Sequence, residues 1–413
     1  MKTRQFFPWI IIVILIIPML WLGVQYFLPR VLFTPDDPAL STNETAADPD
    51  QEPLKEDPAS PEKPTVTDPA APAPDSVSEP LPFEPLTFES EVVLTNLNIP
   101  WEMAYLSTEE DWLITQRSGE VISLRHGEIA VIPATVHTGE GGLLGMAVHP
   151  DFTDNPHLYL YLTTSSGTQL INQVVRYRLT GSSLTEPRVI VDNIPGARFH
   201  NGGRIAFGPD GYLYITTGDA LDPDLAQDEV SLAGKILRVT DEGGIPPDNP
   251  IPGSPVYSLG HRNPQGLAWH PETGDLYASE HGPTQMDEIN RIHPGGNYGW
   301  PRVTCDQIPT EYEDPVACYS EFTLAPSGMT FYPSEEAGVA HLLAAGLRGN
   351  QVRHLVLDVQ GNVISQTAHW SDWGRIRSVT HFEGDLYLLT NNRDGRGTPV
   401  PADDRLIRLS PRP

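Results

Sequence analysis

Lysine is almost missing from this chain. Of 413 residues four are lysine, and only Lys235 lies beyond residue 63. The other cations of the body are arginines, so each arginine placed inward calls for an anionic partner. Cysteine is equally scarce, with Cys305 and Cys318 alone. Two thiols 13 residues apart match no zinc motif, and outside the cytoplasm they read as a local disulfide. Helical periodicity is nearly absent after the first residues, which excludes bundles and doubly wound sheets. Positive charge is outweighed throughout: the formal net charge is −28, with −20 on the part after residue 86. Such a surface repels nucleic acid and anionic headgroups.

One long hydrophobic run is present. Phe6 to Leu28 gives 23 nearly uncharged residues after Lys2 and Arg4. That length crosses a bilayer as a helix, and the flanking cations keep the N-terminus inside. No small-x-small cleavage site follows, so residues 1–33 are expected to be an uncleaved anchor, with a cleaved signal and a secreted body as the alternative. Residues 34–86 are rich in Pro, Ala, Ser, Thr, Asp and Glu; Pro35 to Leu86 holds 13 acids against two lysines. Little apolar surface offsets the entropy of ordering there, and an extended spacer is expected. Asn43 begins a glycosylation sequon, a short and common match.

Residues 87–413 repeat one pattern six times, with units starting at Ile99, Gly142, Gly202, Pro264, Pro326 and Gly374. Each has a short apolar run, a turn with Pro, Asp or Gly, and a Leu- and Tyr-rich strand, usually followed by a third strand. Units of this kind at roughly 40–60-residue spacing are propeller blades. The fold expected is all-β, a six-bladed β-propeller. A two-sheet sandwich leaves the repetition unexplained. Glu89 to Leu97, ahead of the first unit, is expected to supply the outer strand of the sixth blade and close the ring.

In a propeller the start of each first strand and the end of each second strand emerge on one face. That rule gathers Glu140, His200 with Asn201, His261 to Asn263, and Arg375 with Arg377. It adds Asp219, His281 to Pro283, Arg348 and Asn391 to Arg393. A channel mouth lined this way suits a planar anion, because the guanidinium fork matches carboxylates. His149, His270 and His293 read instead as structural turn residues. Arg204 and Arg238 read as blade-to-blade ion pairs.

The segments "RFHNGGRIAFGPDGYLYITTGD", "YSLGHRNPQGLAWHP" and "SEHGPTQMDEINRIHPGGNYGWP" resemble the glucose/sorbosone dehydrogenase family, most closely its soluble-type aldose sugar dehydrogenases dependent on pyrroloquinoline quinone (PQQ). The resemblance covers about Pro100 to Leu409. It implies PQQ at the channel mouth, an aldose substrate oxidised at C1 to a lactone, and hydride transfer to the quinone. By motif, His200 would be the general base, Asp219 its orienting carboxylate, and Arg262 the stabiliser of developing charge. Glu140, Asn263, Arg348, Arg375 and Arg377 would contact the cofactor. Backbone carbonyls of Gly282 and Pro283 would bind a calcium ion, and Glu288 and Tyr298 would hold a second, structural one. Two positions depart from the family pattern: Glu140 stands where Gln is frequent, and Arg348 where Lys is common. The electron acceptor is not named by the sequence. The rival readings are a non-enzymatic extracellular binding propeller and a calcium-dependent lactonase. The first has no use for the base, its carboxylate and the cations together. The second calls for carboxylate and Asn ligands around a central metal, where the sequence places cations.

Overall fold

A computed structural model describes residues 87–305 and 308–412. Among them every sheet is antiparallel and four-stranded, and there are six sheets. The apolar runs that open the repeats form the innermost strands: Pro100–Leu106, Leu143–Val148, Ile205–Phe207, Pro264–Trp269, Pro326–Tyr332 and Ile376–Phe382. We number the blades one to six in that order. Second strands follow at Asp111–Gln116, His157–Ser166, Leu213–Thr217, Leu276–Glu280, Ala340–Gly346 and Asp385–Thr390. They are buried almost throughout, because both faces of an inner blade strand lie against neighbouring blades.

The ring closes as the sequence suggests. Phe88–Leu94 pairs antiparallel with Leu406–Pro411, so blade six takes its outer strand from the opposite end of the propeller sequence. Six apolar clusters fill the six interfaces between blades among the described residues. Leu343, Val352, Val379 and Leu388 join blades five and six, for example. Met103, Ile114, Leu389 and Leu406 join six to one. Each such buried Leu or Ile contributes about 1.5–3 kcal/mol, which is the main force holding blades side by side.

Two features distinguish the ends of the inner strands. At one end the register slips in five of the six, as between Pro100 and Glu102 or Ile376 and Ser378. Such bulges twist the strand and re-aim its side chains. At the other end aromatic rings meet edge to face. His149 lies 5.5 Å from Phe207, and Phe207 lies 5.1 Å from Tyr159. The same trio recurs as His270, Phe331 and Tyr277, at 5.1 and 5.5 Å. His270 Nδ1 also accepts from the backbone N–H of Glu272 and Thr273, the turn role expected of it.

The channel between the inner strands is crossed by charge. Arg204 of blade three pairs with Glu102 of blade one, and both are buried. Its Nε donates to Gln265 O at 2.8 Å, and its guanidinium lies 4.3 Å from the centroid of a Trp101 ring. Arg204 is thus the inter-blade pair expected. Arg238 is not: it pairs with Asp210 and Asp248 of its own blade. Asp210 sits on the turn between the first two strands of that blade, and Asp248 on the loop that follows Arg238's own strand. Cys305 and Cys318 form a disulfide, as expected. The apolar run at 6–28 and the spacer at 34–86 lie outside the described residues. Among the described residues no helix is long and apolar enough to cross a membrane.

Candidate functional site

His200 is the centre of the channel mouth. It enters blade three in the left-handed region, with φ of 58°, uncommon for a non-glycine residue. The surroundings over-determine it. Its carbonyl accepts from Ala220 N at 3.2 Å, and a β-carbon on Gly218 would come within 1.9 Å of that oxygen. Only glycine permits this approach. Asn201 beside it is structural, tying Ala197 to Asn172 by its side chain.

His200 Nδ1 lies 2.9 Å from Asp219 Oδ1. Asp219 is fully buried and makes more contacts than a turn residue needs. Oδ1 also accepts from Leu221 N at 2.9 Å, and Oδ2 accepts from Trp300 Nε1 at 2.8 Å. An acceptor-only carboxylate at Nδ1 makes Nε2 the basic atom of the neutral imidazole.

Cations surround this dyad. Arg262 donates to His281 O at 3.3 Å and packs over the Trp300 ring. Arg377 is buried, and burial together with Arg117 and Arg375 pushes its pKa down to about 9 despite the charge of Asp394. It donates to Gln265 Oε1 at 2.7 Å and Ser327 Oγ at 3.2 Å. Arg375 is held by Asp394 through Nε and Nη2, at 3.1 and 2.8 Å. Asn263 accepts from Gly202 N at 3.0 Å. Arg348 is different: it sits exposed on the turn after the second strand of blade five. His261 points into its blade, between Ser258 and Glu280, both at 2.8 Å.

Glu140 reaches His200 N with one oxygen at 3.2 Å and Arg396 Nη1 with the other at 2.7 Å. Burial raises its pKa, but Arg396, His200 and His281 prevail and hold it well below the usual carboxylate range. A carboxylate at this position therefore comes with its own counter-cation.

Three residues of the site lie outside the sequence-based set: Arg117, Trp300 and Arg396. Arg117 follows the second strand of blade one, is buried, and donates to Gly139 O. Its place after that strand is the signal that could have found it. His281 lies among Glu140, Arg262, Arg377 and His200; burial pushes its pKa down to about 3, and Glu140 only partly opposes this.

The two pairs read as ligands of separate cations lie side by side. Gly282, Pro283, Glu288 and Tyr298 line one cavity of about 10 Å³, together with Glu280, Arg262 and Trp300. That is room for about one water or ion. A β-carbon on Gly282 would meet Met286 O at 1.7 Å, so the turn is closed tightly. Gly282 N donates to Asp287 Oδ1, while Asp287 Oδ2 accepts from Leu324 N and Ala325 N, both at 2.7 Å. Burial and the neighbouring Glu280 raise the Glu288 pKa well above the usual range. The Tyr298 hydroxyl is committed to Arg291 O and His293 N. Among the described residues no three His, Cys, Asp or Glu gather as a metal cluster.

Comparisons with known proteins bear on the family and the fold. The profile of the Glucose / Sorbosone dehydrogenase family matches residues 97–407. An aldose sugar dehydrogenase of Escherichia coli is 33% identical, over 79% of this chain and 94% of its own length. An oxidoreductase from a Thermus species, described as a glucose dehydrogenase, is 45% identical with a TM-score of 0.73, over 78% of this chain and 100% of that one. The PQQ-bound form of an aldose sugar dehydrogenase from Streptomyces coelicolor is 39% identical with a TM-score of 0.72, over 79% and 99%.

Proposed function

The chain belongs to the glucose/sorbosone dehydrogenase family, and from that premise we propose that it oxidises aldose sugars at C1 to lactones, with PQQ as bound oxidant and calcium beside it. The observation that carries this reading is the set of buried donors left over at the mouth. Arg117 Nε, Asn263 Nδ2, His281 Nε2 and Arg377 Nε are buried without a hydrogen-bond partner among the described residues. Leaving a buried donor unmet costs about 1–3 kcal/mol each, more for a charged group. Four together, on a cationic rim, fit an anionic planar ligand with several acceptor oxygens.

Asn263, Arg377 and Arg375 would hold PQQ, with Arg262 beside the dyad and Arg348 reaching in from the rim. PQQ, once bound, would supply the two-electron sink for hydride from C1. His200 Nε2 takes the proton of the C1 hydroxyl at the same time. Asp219 fixes the imidazole and stabilises it once protonated, and Trp300 fixes Asp219. Arg262 would stabilise the negative charge gained by the hydride acceptor. The carbonyls of Gly282 and Pro283 would hold a calcium ion beside the cofactor, and Glu288 and Tyr298 would hold a second, structural one. Glu140, neutralised by Arg396, remains able to accept sugar hydroxyls without repelling the cofactor. The run of Phe6 to Leu28 would hold this site on the extracytoplasmic side, where an external acceptor re-oxidises it.

The test is the visible spectrum of the purified full chain with PQQ and calcium, before and after a panel of aldoses. A bound quinone spectrum that converts to the reduced form with sugar is expected. Absence of PQQ binding, or binding with no sugar-driven reduction, overturns the reading.

A further inference from the structure

Lys235 lies on the third strand of blade three and is the one lysine among the described residues. It is fully buried. Its ammonium donates to three backbone carbonyls: Leu225 O at 2.8 Å, Ala226 O at 3.0 Å and Ala233 O at 2.7 Å. No carboxylate touches it among the described residues. Burying an ammonium this way is costly, and burial pulls its pKa down to about 8, against a small opposing effect of Asp228. An apolar side chain would fill the space at lower cost, so packing alone does not account for it.

The carbonyls explain what the charge holds. Leu225 and Ala226 belong to the short 3-10 helix Pro223–Gln227; Leu225 O also accepts from Asp228 N at 3.2 Å and Ala226 O from Gly260 N at 3.0 Å, so the ammonium is a second donor to each. The ammonium caps them and pins the helix to the strand. Gln227 on the same helix donates to Trp300 O at 2.7 Å and to Asn297 Oδ1 at 3.0 Å, and Asn297 Nδ2 returns a bond at 2.9 Å. Trp300 in turn donates its indole N–H to Asp219 Oδ2. Asp219 begins the segment that leads back to the helix. The path is a closed loop of contacts with Lys235 at its hub.

We propose that Lys235 is a built-in cation, standing where a bound metal ion would otherwise organise these carbonyls, and that it positions Asp219 through the helix, Gln227 and Trp300. Lys235 is a positioning residue, remote from the reacting atoms. The inference rests on the reading of His200 and Asp219 as the reacting pair.

The first measurement needs no substrate. In the full chain, amine-directed labelling followed by peptide mass spectrometry should modify Lys55 and Lys63 and spare Lys235. The indole N–H resonance of Trp300, assigned by Trp300→Phe, should move in Lys235→Ala. With sugar, Lys235→Ala should lose roughly 10–100-fold in kcat with KM little changed, as expected when a group is misplaced rather than removed. Propylammonium should restore kcat and the indole resonance; neutral propanol should not. Gln227→Ala leaves the ammonium cage intact and should lower kcat likewise, which keeps the test open if Lys235→Ala fails to fold. An unmoved indole resonance in Lys235→Ala, or wild-type kcat in Gln227→Ala, overturns the proposal. If the resonance moves and returns with propylammonium while no sugar is oxidised even by the wild type, the positioning stands and the functional reading fails.

Discussion

The two ends of the inner strands are built from different chemistry. At the end away from the mouth, His149, Phe207 and Tyr159 repeat as His270, Phe331 and Tyr277 with nearly the same ring distances. At the mouth equivalent positions carry different groups: Arg117 and His281 both follow second strands, and the pair of His200 with Asp219 is echoed only by the buried pair of His261 with Glu280. The ring end satisfies itself, ring against ring. The mouth leaves donors unmet and holds a histidine at positive φ. Stability and function are therefore segregated along the same strands, and substitutions at the two ends should separate them.

The largest effect is expected at the mouth. His200→Asn should lower kcat by about 10²–10⁴-fold, the range for loss of a general base, with little change in Tm. Sugar-dependent reduction of a dye by the PQQ-loaded chain, alongside a melting curve, reports both. Retained turnover would remove His200 from the mechanism. Phe331→Ala, at the ring end, should behave in the opposite way. It costs about 3–5 kcal/mol of stability, while the kcat of the folded fraction stays near wild type. A fall in kcat without a fall in Tm would show that the two ends are not separable.

The smallest effect is a pH dependence remote from both ends. His354 on blade five is buried between His341 at 3.0 Å and His369 at 3.4 Å. Burial and these neighbours push its pKa down to about 3 from 6.5. The folded protein thus binds fewer protons there than the unfolded chain between those values. Stability from the neutral ring is complete above pH 6.5 and is lost as pH falls toward 3. His354→Gln should flatten the acid limb of Tm against pH, leaving kcat at neutral pH unchanged. An acid limb of unchanged slope would assign acid unfolding to other groups.

The blades were legible because six copies of one pattern announce themselves, and the ring-closing strand followed from the count. His200, Asp219 and Arg262 were legible because strand ends in a propeller share a face. What escaped depends on reach. Arg396 meets Glu140 across 256 positions, and no local pattern encodes that contact. Trp300 sits in a loop of blade four, and its bond to Asp219 of blade three exists only once the two blades are assembled. Lys235 stood out as the sole lysine of the body, but its carbonyl cage is made by backbone and leaves no trace in residue type. The Arg238 pairing went astray for the opposite reason: both acids lie nearby on connections within the same blade.

The closing strand has a consequence for how the molecule is made. Glu91 and Arg408 are 317 positions apart yet meet across one sheet. While the ribosome is still adding Leu406–Pro411, blade six lacks a strand and the ring stands open. Residues 88–94 must wait, an unpaired edge exposed to other nascent chains. Maturation of the whole propeller is thus gated by one late capture event, and closing so long a loop is slow. This outermost strand, rather than any residue of the mouth, is the last piece that the propeller requires.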